Sequence, residues 1–65
     1  MDAQVIGKRL KELRGDKCLK VVADYCGVTC SAMSNYENGI RIPRDEVKIK
    51  IAKFYNTSVE AIFLT

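Results

Sequence analysis

The sequence predicts a compact all-α domain of five short helices. Three observations carry that expectation. Apolar residues recur at three- and four-residue spacing along nearly the whole chain, which gathers them on one face of a helix. Breaks in that periodicity coincide with residues suited to helix ends, among them Asp2, Gly15, Gly27, Thr29 and Gly39. Nowhere do apolar and polar residues alternate over a run long enough to claim a strand. With no repeat, low-complexity segment or linker, residues 1–65 are expected to form one domain.

Taken in order, Val5, Ile6, Leu10 and Leu13 share a helical face while Lys8, Arg9, Lys11 and Glu12 take the other, giving a first helix that Asp2 can cap and Gly15 can end. A second helix of about two turns is read from Leu19, Val21, Val22, Ala23, Tyr25 and Cys26. Gly27 interrupts it, and Thr29 is placed to cap a third helix with Ala32, Met33 and Tyr36 inward and Asn38-Gly39 as its stop. Ile40 to Ile42 is expected to be a loop, since Pro43 disfavours a helical residue before it. Pro43 suits the first turn of a fourth helix, with Asp45 and Glu46 at the positive end of its dipole and Val47, Ile51 and Phe54 on its inner face. Either Thr57 or Ser58 can cap a last helix whose apolar face is Val59, Ile62 and Phe63.

Composition narrows the function classes. A chain of 65 residues supports a small core and few kcal/mol of net stability, so an elaborate catalytic cleft is not expected. Apolar residues at 48% and charged residues at 29% fit a folded globular domain, not a disordered one. The formal charge of +3 permits a polyanionic partner without demanding one. The N-terminus lacks the basic-then-apolar pattern of a signal peptide and no stretch is long enough to span a bilayer, which predicts a cytoplasmic protein. There Cys18, Cys26 and Cys30 are expected as free thiols. Without histidine, three thiols cannot close a four-ligand zinc site, and no nucleophile, base and orienting residue stand out as a set. Neither a metal, a cofactor, a small-molecule ligand nor an enzymatic activity is therefore expected.

The informative stretch is Leu19 to Asn38. It joins two short helices through a glycine that can take positive φ, with the small Ala23 where the helices would have to cross closely and Val22, Val28, Met33 and Tyr36 as their shared apolar contact. That combination is what a helix-turn-helix needs, in which the first helix crosses the DNA backbone and the second enters the major groove.

The chain also resembles the phage repressor and Cro-type helix-turn-helix family over nearly its whole length. The resemblance is carried by Ile6-Gly7-Lys8-Arg9-Leu10-Lys11-Glu12-Leu13-Arg14, by Val22-Ala23 and Gly27-Val28-Thr29, and most specifically by Ser34-Asn35-Tyr36-Glu37-Asn38-Gly39. Arg41-Ile42-Pro43 and Ser58-Val59-Glu60-Ala61-Ile62-Phe63 are similar to the family's later helices. The resemblance implies that Cys30, Ser31 and Asn35 read base edges, and that Glu37 pairs with Arg14 across the edge of the core. Helical spacing independently sets positions 31, 35 and 38 on one face, opposite Met33 and Tyr36. Asn35 can bond N6 and N7 of an adenine, and Ser31 can donate or accept at several bases. Thr29, Ser34 and Asn38 are expected nearer the phosphates, flanked by Lys17, Lys20, Arg41 and Arg44.

One departure from the family is Leu19, which stands where many members carry a glutamine that touches phosphate; the neighbouring Lys20 is the expected substitute. The third helix has short side chains and no arginine, so DNA shape is expected to share in specificity. Plainer readings stand beside these. Ser31, Ser34 and Asn35 also fit a solvated helix face, Lys48, Lys50 and Lys53 fit a solvated face of the fourth helix, and Tyr25, Tyr36, Phe54 and Phe63 fit core or interface packing. Cys30 is either a small residue at a tolerant position or a thiol whose oxidation blocks DNA. The leading expectation is a transcriptional regulator, a repressor of prophage or mobile-element type, binding a palindromic operator as a homodimer through the Val59 to Leu64 face. The alternative is a protein-interaction module, such as an antitoxin-like partner, built on the same fold.

Overall fold

The computed structural model describes residues 2–64. Five helices follow one another: α1 (Ala3–Arg14), α2 (Leu19–Cys26), α3 (Cys30–Glu37), α4 (Asp45–Phe54) and α5 (Val59–Phe63), and there is no strand among the described residues. Local chemistry sets most of their ends. The Asp2 carboxylate accepts the Gln4 and Val5 amides at 2.9 and 3.4 Å, and the Thr29 hydroxyl accepts that of Ala32 at 3.0 Å. Each satisfies a donor that the first helical turn leaves without a partner. Of the two candidates before α5, Ser58 is the cap, accepting the Ala61 amide at 3.1 Å.

Pro43 corrects the reading of α4. Its fixed φ serves an extended segment as well as a first helical turn. Here the ring is buried, Arg44 after it is extended at φ −69° and ψ 164°, and the helix begins only at Asp45.

The helices close around one apolar cluster. Ile6 and Leu10 enter it from α1, Val22, Ala23 and Cys26 from α2, Met33 and Tyr36 from α3, Val47, Ile51 and Ala52 from α4, and Ile62 and Phe63 from α5. The first helix packs on α3 and α5, α2 packs on α3 and α4, and α4 packs on α5. Arg9 ties the ends of the chain together by donating to the Ile62 carbonyl at 2.9 Å. The radius of gyration of 10.2 Å matches the ~10.7 Å of a close-packed chain this long.

Four residues sit differently from their sequence expectation. Val5, Val21 and Tyr25 lie at the edges of their apolar stripes and are 42%, 54% and 53% exposed, because these thin helices cover only the middle of each stripe. Lys48 is not on a solvated face: its side chain is 13% exposed, pairs with Asp45 at 3.5 Å and crosses the Phe63 ring at 5.7 Å. A lysine stem covers apolar surface while its ammonium stays near water. Phe63 is buried, whereas Leu64 beside it is exposed.

Phe54 receives Tyr25 and Tyr55 edge-on, with ring centroids 5.3 and 5.1 Å away. Burial first, and the nearby Glu37 carboxylate second, push the Tyr55 phenol up to about 12 from its ordinary 10.0. A group whose folded pKa is raised stabilises fully below its unfolded value and loses that contribution as pH climbs. Stability is therefore expected to fall between pH 10.0 and about 12 in a way that Tyr55→Phe removes. Urea denaturation of both proteins across that window measures it; parallel curves would refute the assignment.

Candidate nucleic-acid interface

The underside of α3 is fixed from two directions. On one side α2 packs against it, and Ala23 of α2 is wholly buried. Gly27 makes the reversal possible in the left-handed conformation at φ +71°, where a side chain is strained. Its amide and that of Val28 close the end of α2 onto the carbonyls of Asp24 and Ala23. On the other side α1 lies backbone to backbone against the end of α3: a Cβ on Gly7 would stand 2.5 Å from the Glu37 carbonyl oxygen and 2.9 Å from the Gly39 nitrogen. The helical pattern of the sequence does not by itself assign Gly7 this role. A glycine on the buried face of an otherwise ordinary helix was the available signal.

Arg14 and Glu37 join the same two helices through side chains. Nε donates to Oε2 at 2.8 Å, Nη2 to Oε1 at 3.1 Å, and Nη1 to the Lys17 carbonyl at 2.9 Å. The bidentate bond has the planar fork geometry in which guanidinium meets carboxylate best. It raises the Arg14 pKa, hydrogen bonding to Glu37 being the main cause. Glu37 is 5% exposed, so its charge is satisfied inside the fold and is not offered to a partner.

What remains outward on α3 is polar. Cys30, Ser31 and Asn38 are exposed, and Ser34 and Asn35 are half-buried. The Asn35 carbonyl accepts the Ile40 and Arg41 amides at 3.0 and 3.3 Å, while its side-chain amide has no partner among the described residues. Asn38 donates to the Ser34 hydroxyl at 3.2 Å, so these two brace each other. The Thr29 hydroxyl is occupied as the helix cap. Around this edge Lys17, Arg41 and Arg44 are exposed. Lys20 is held by Asp24 at 2.8 Å, with both groups in solvent, so any phosphate it met would have to compete with that carboxylate.

The three thiols are free; Cys26 is in the core, where burial raises its pKa, and Cys18 and Cys30 are exposed. No three His, Cys, Asp or Glu side chains come together to hold a metal ion among the described residues, and no described helix is long and apolar enough to cross a membrane.

Against known proteins, a helix-turn-helix family model matches residues 8–62. The chain belongs to the helix-turn-helix family. Its all-α, five-helix architecture is shared with two crystal structures of the clp gene regulator ClgR from Corynebacterium glutamicum. One superposes with a TM-score of 0.87 at 21% identity over 98% of this chain and 70% of that chain. The other gives 0.82 at 21% identity over 98% of this chain and 86% of that chain. No curated protein matches the sequence. Within this helix-turn-helix domain, Gly27 caps the end of α2 and Thr29 caps the start of α3.

Proposed function

We propose that this chain, residues 1–65 acting as one unit, is a cytoplasmic transcriptional regulator of the repressor type carried by prophages or mobile elements. It binds a two-fold symmetric double-stranded operator as a homodimer, with α3 in the major groove. Family membership supports DNA-binding transcriptional regulation. The observation that carries the finer reading is the two-sidedness of α3. Met33, Tyr36 and Glu37 are buried beneath it, while Ser31 is exposed and the half-buried Asn35 has a side-chain amide without a partner among the described residues. A buried, rigid underside and an unsatisfied polar edge are what base readout requires.

In this reading Asn35 bonds the N6 and N7 edge of an adenine, Ser31 and Cys30 touch the neighbouring bases, and Thr29, Ser34 and Asn38 lie toward the phosphates. Lys17, Lys20, Arg41 and Arg44 neutralise the backbone and fix register without reading sequence. The exposed Leu64 at the end of α5 supports the Val59 to Leu64 face as the dimer surface. Two α3 helices on successive turns require half-sites about 34 Å, or roughly 10 base pairs, apart.

Selection of bound duplexes from random DNA at two salt concentrations tests the proposal. A palindromic consensus is expected. On it, Asn35→Ala is expected to cost about 1–3 kcal/mol and to flatten preference at one base pair per half-site, leaving non-specific binding nearly unchanged. Tight binding to another protein without salt-sensitive DNA binding would replace this reading with the interaction-module alternative.

A further inference from the structure

The cations of this domain divide into those with internal partners and those without. Arg14, Lys20 and Lys48 each pair with a carboxylate. Arg41, Arg44 and Lys50 form no ion pair among the described residues, and all three line one open cleft of about 600 Å³. Gly27 and Tyr36 also line the cleft, and Glu46 is the acid in its lining. Lys50 reaches across from the middle of α4 until its ammonium lies 3.7 Å from the position a Gly27 Cβ would occupy. Three positive charges from two separate segments, against the one negative charge of Glu46, therefore line one concavity. A concave surface with a net excess of positive charge focuses the field, and an anion entering it meets the three cations against one carboxylate.

We propose that this cleft is a phosphate-binding site, that Lys50 works in it together with Arg41 and Arg44, and that the phosphate is a phosphodiester of the DNA strand bordering the groove that α3 enters. The source of the phosphate rests on the DNA-binding reading above; the anion chemistry of the cleft does not. The cleft lies along the flank of α3, where Ala32 and Tyr36 line it beside the outward edge carrying Asn35. A strand passing that edge brings its phosphates to the mouth. Lys50 thus acquires a role that its place on a solvated stretch of α4 did not suggest, and Lys53, exposed on the same helix outside the cleft, supplies the control.

The test compares wild type, Lys50→Gln and Lys53→Gln by fluorescence anisotropy with labelled duplexes between 50 and 200 mM salt. Inorganic phosphate is titrated in parallel while the Gly27 and Thr29 amides are followed by NMR. Lys50→Gln is expected to weaken every duplex alike, roughly three- to ten-fold, and to lower the salt slope by about one. Lys53→Gln leaves both unchanged, and phosphate shifts the two amides in wild type but not in Lys50→Gln. If the two variants behave identically in both assays, the site is wrong. Phosphate shifts that depend on Lys50, in a protein that binds no DNA, would keep the anion site and overturn the DNA-binding reading. DNA binding indifferent to Lys50, with those shifts intact, would overturn the phosphodiester as the ligand.

Discussion

Gly7→Ala is expected to destabilise the domain by about 3 kcal/mol, although alanine is the better helix former. The gain in propensity is roughly 0.5–1 kcal/mol, whereas forcing a methyl into a filled contact typically costs 1–3 kcal/mol and occasionally more. The upper end applies because the added carbon would lie 2.5 Å from the Glu37 carbonyl oxygen and 2.9 Å from the Glu37 carbonyl carbon and the Gly39 nitrogen. These are backbone atoms that no rotamer change can move. The helices must separate, and a domain this small holds only about 3–5 kcal/mol in reserve. Urea denaturation followed by helical circular dichroism, with Lys8→Ala on the exposed side of α1 as the control, measures the effect. A Gly7→Ala protein as stable as wild type would mean that α1 and α3 do not approach at this point.

Removing Arg14 is the second large perturbation, and its two halves are expected to differ. Arg14→Ala leaves the Glu37 carboxylate, 5% exposed, without its guanidinium, whereas Glu37→Ala leaves an arginine that is 26% exposed and still bonded to the Lys17 carbonyl. Stranding a buried charge costs about 3–5 kcal/mol. Arg14→Ala is accordingly expected to lose about 3 kcal/mol, Glu37→Ala about 1–2, and the double variant less than their sum. A double-mutant cycle by chemical denaturation resolves all three values. Two near-neutral single variants would reduce the pair to a surface contact of under about 1 kcal/mol.

The helices and their order were legible because the signals are local. Asp2, Thr29 and the glycines at 15, 27 and 39 act on amides and carbonyls within a turn of themselves, and a sequence displays them directly. Pro43 was misplaced because whether it opens a helix depends on what covers its ring, a tertiary fact. Lys48 was misread for the same reason: its position on α4 is polar by pattern, but Phe63 lies under it. Val21 and Tyr25 show the limit of periodicity, which finds the apolar stripe of α2 without showing how wide a strip its neighbours cover. At the candidate site, the face holding Ser31, Asn35 and Asn38 followed from spacing alone. The convergence of Arg41, Arg44 and Lys50 did not, because it joins two segments whose relative placement only the fold supplies.

The two-sided construction of α3 also bears on how this domain can change over time. Its inward row of Met33, Tyr36 and Glu37 is committed to the core and to Arg14. Cys30 and Ser31 stand outside that network, and Asn35 enters it through its backbone carbonyl, which any other residue would also supply. Substitutions at positions 30, 31 and 35 therefore fall where stability effects are small, within about 0.5 kcal/mol. A lineage could exchange those three side chains one at a time without passing through an unfolded intermediate. What the helix presents outward is in this sense separable from how it is held, in a domain with only a few kcal/mol of net stability.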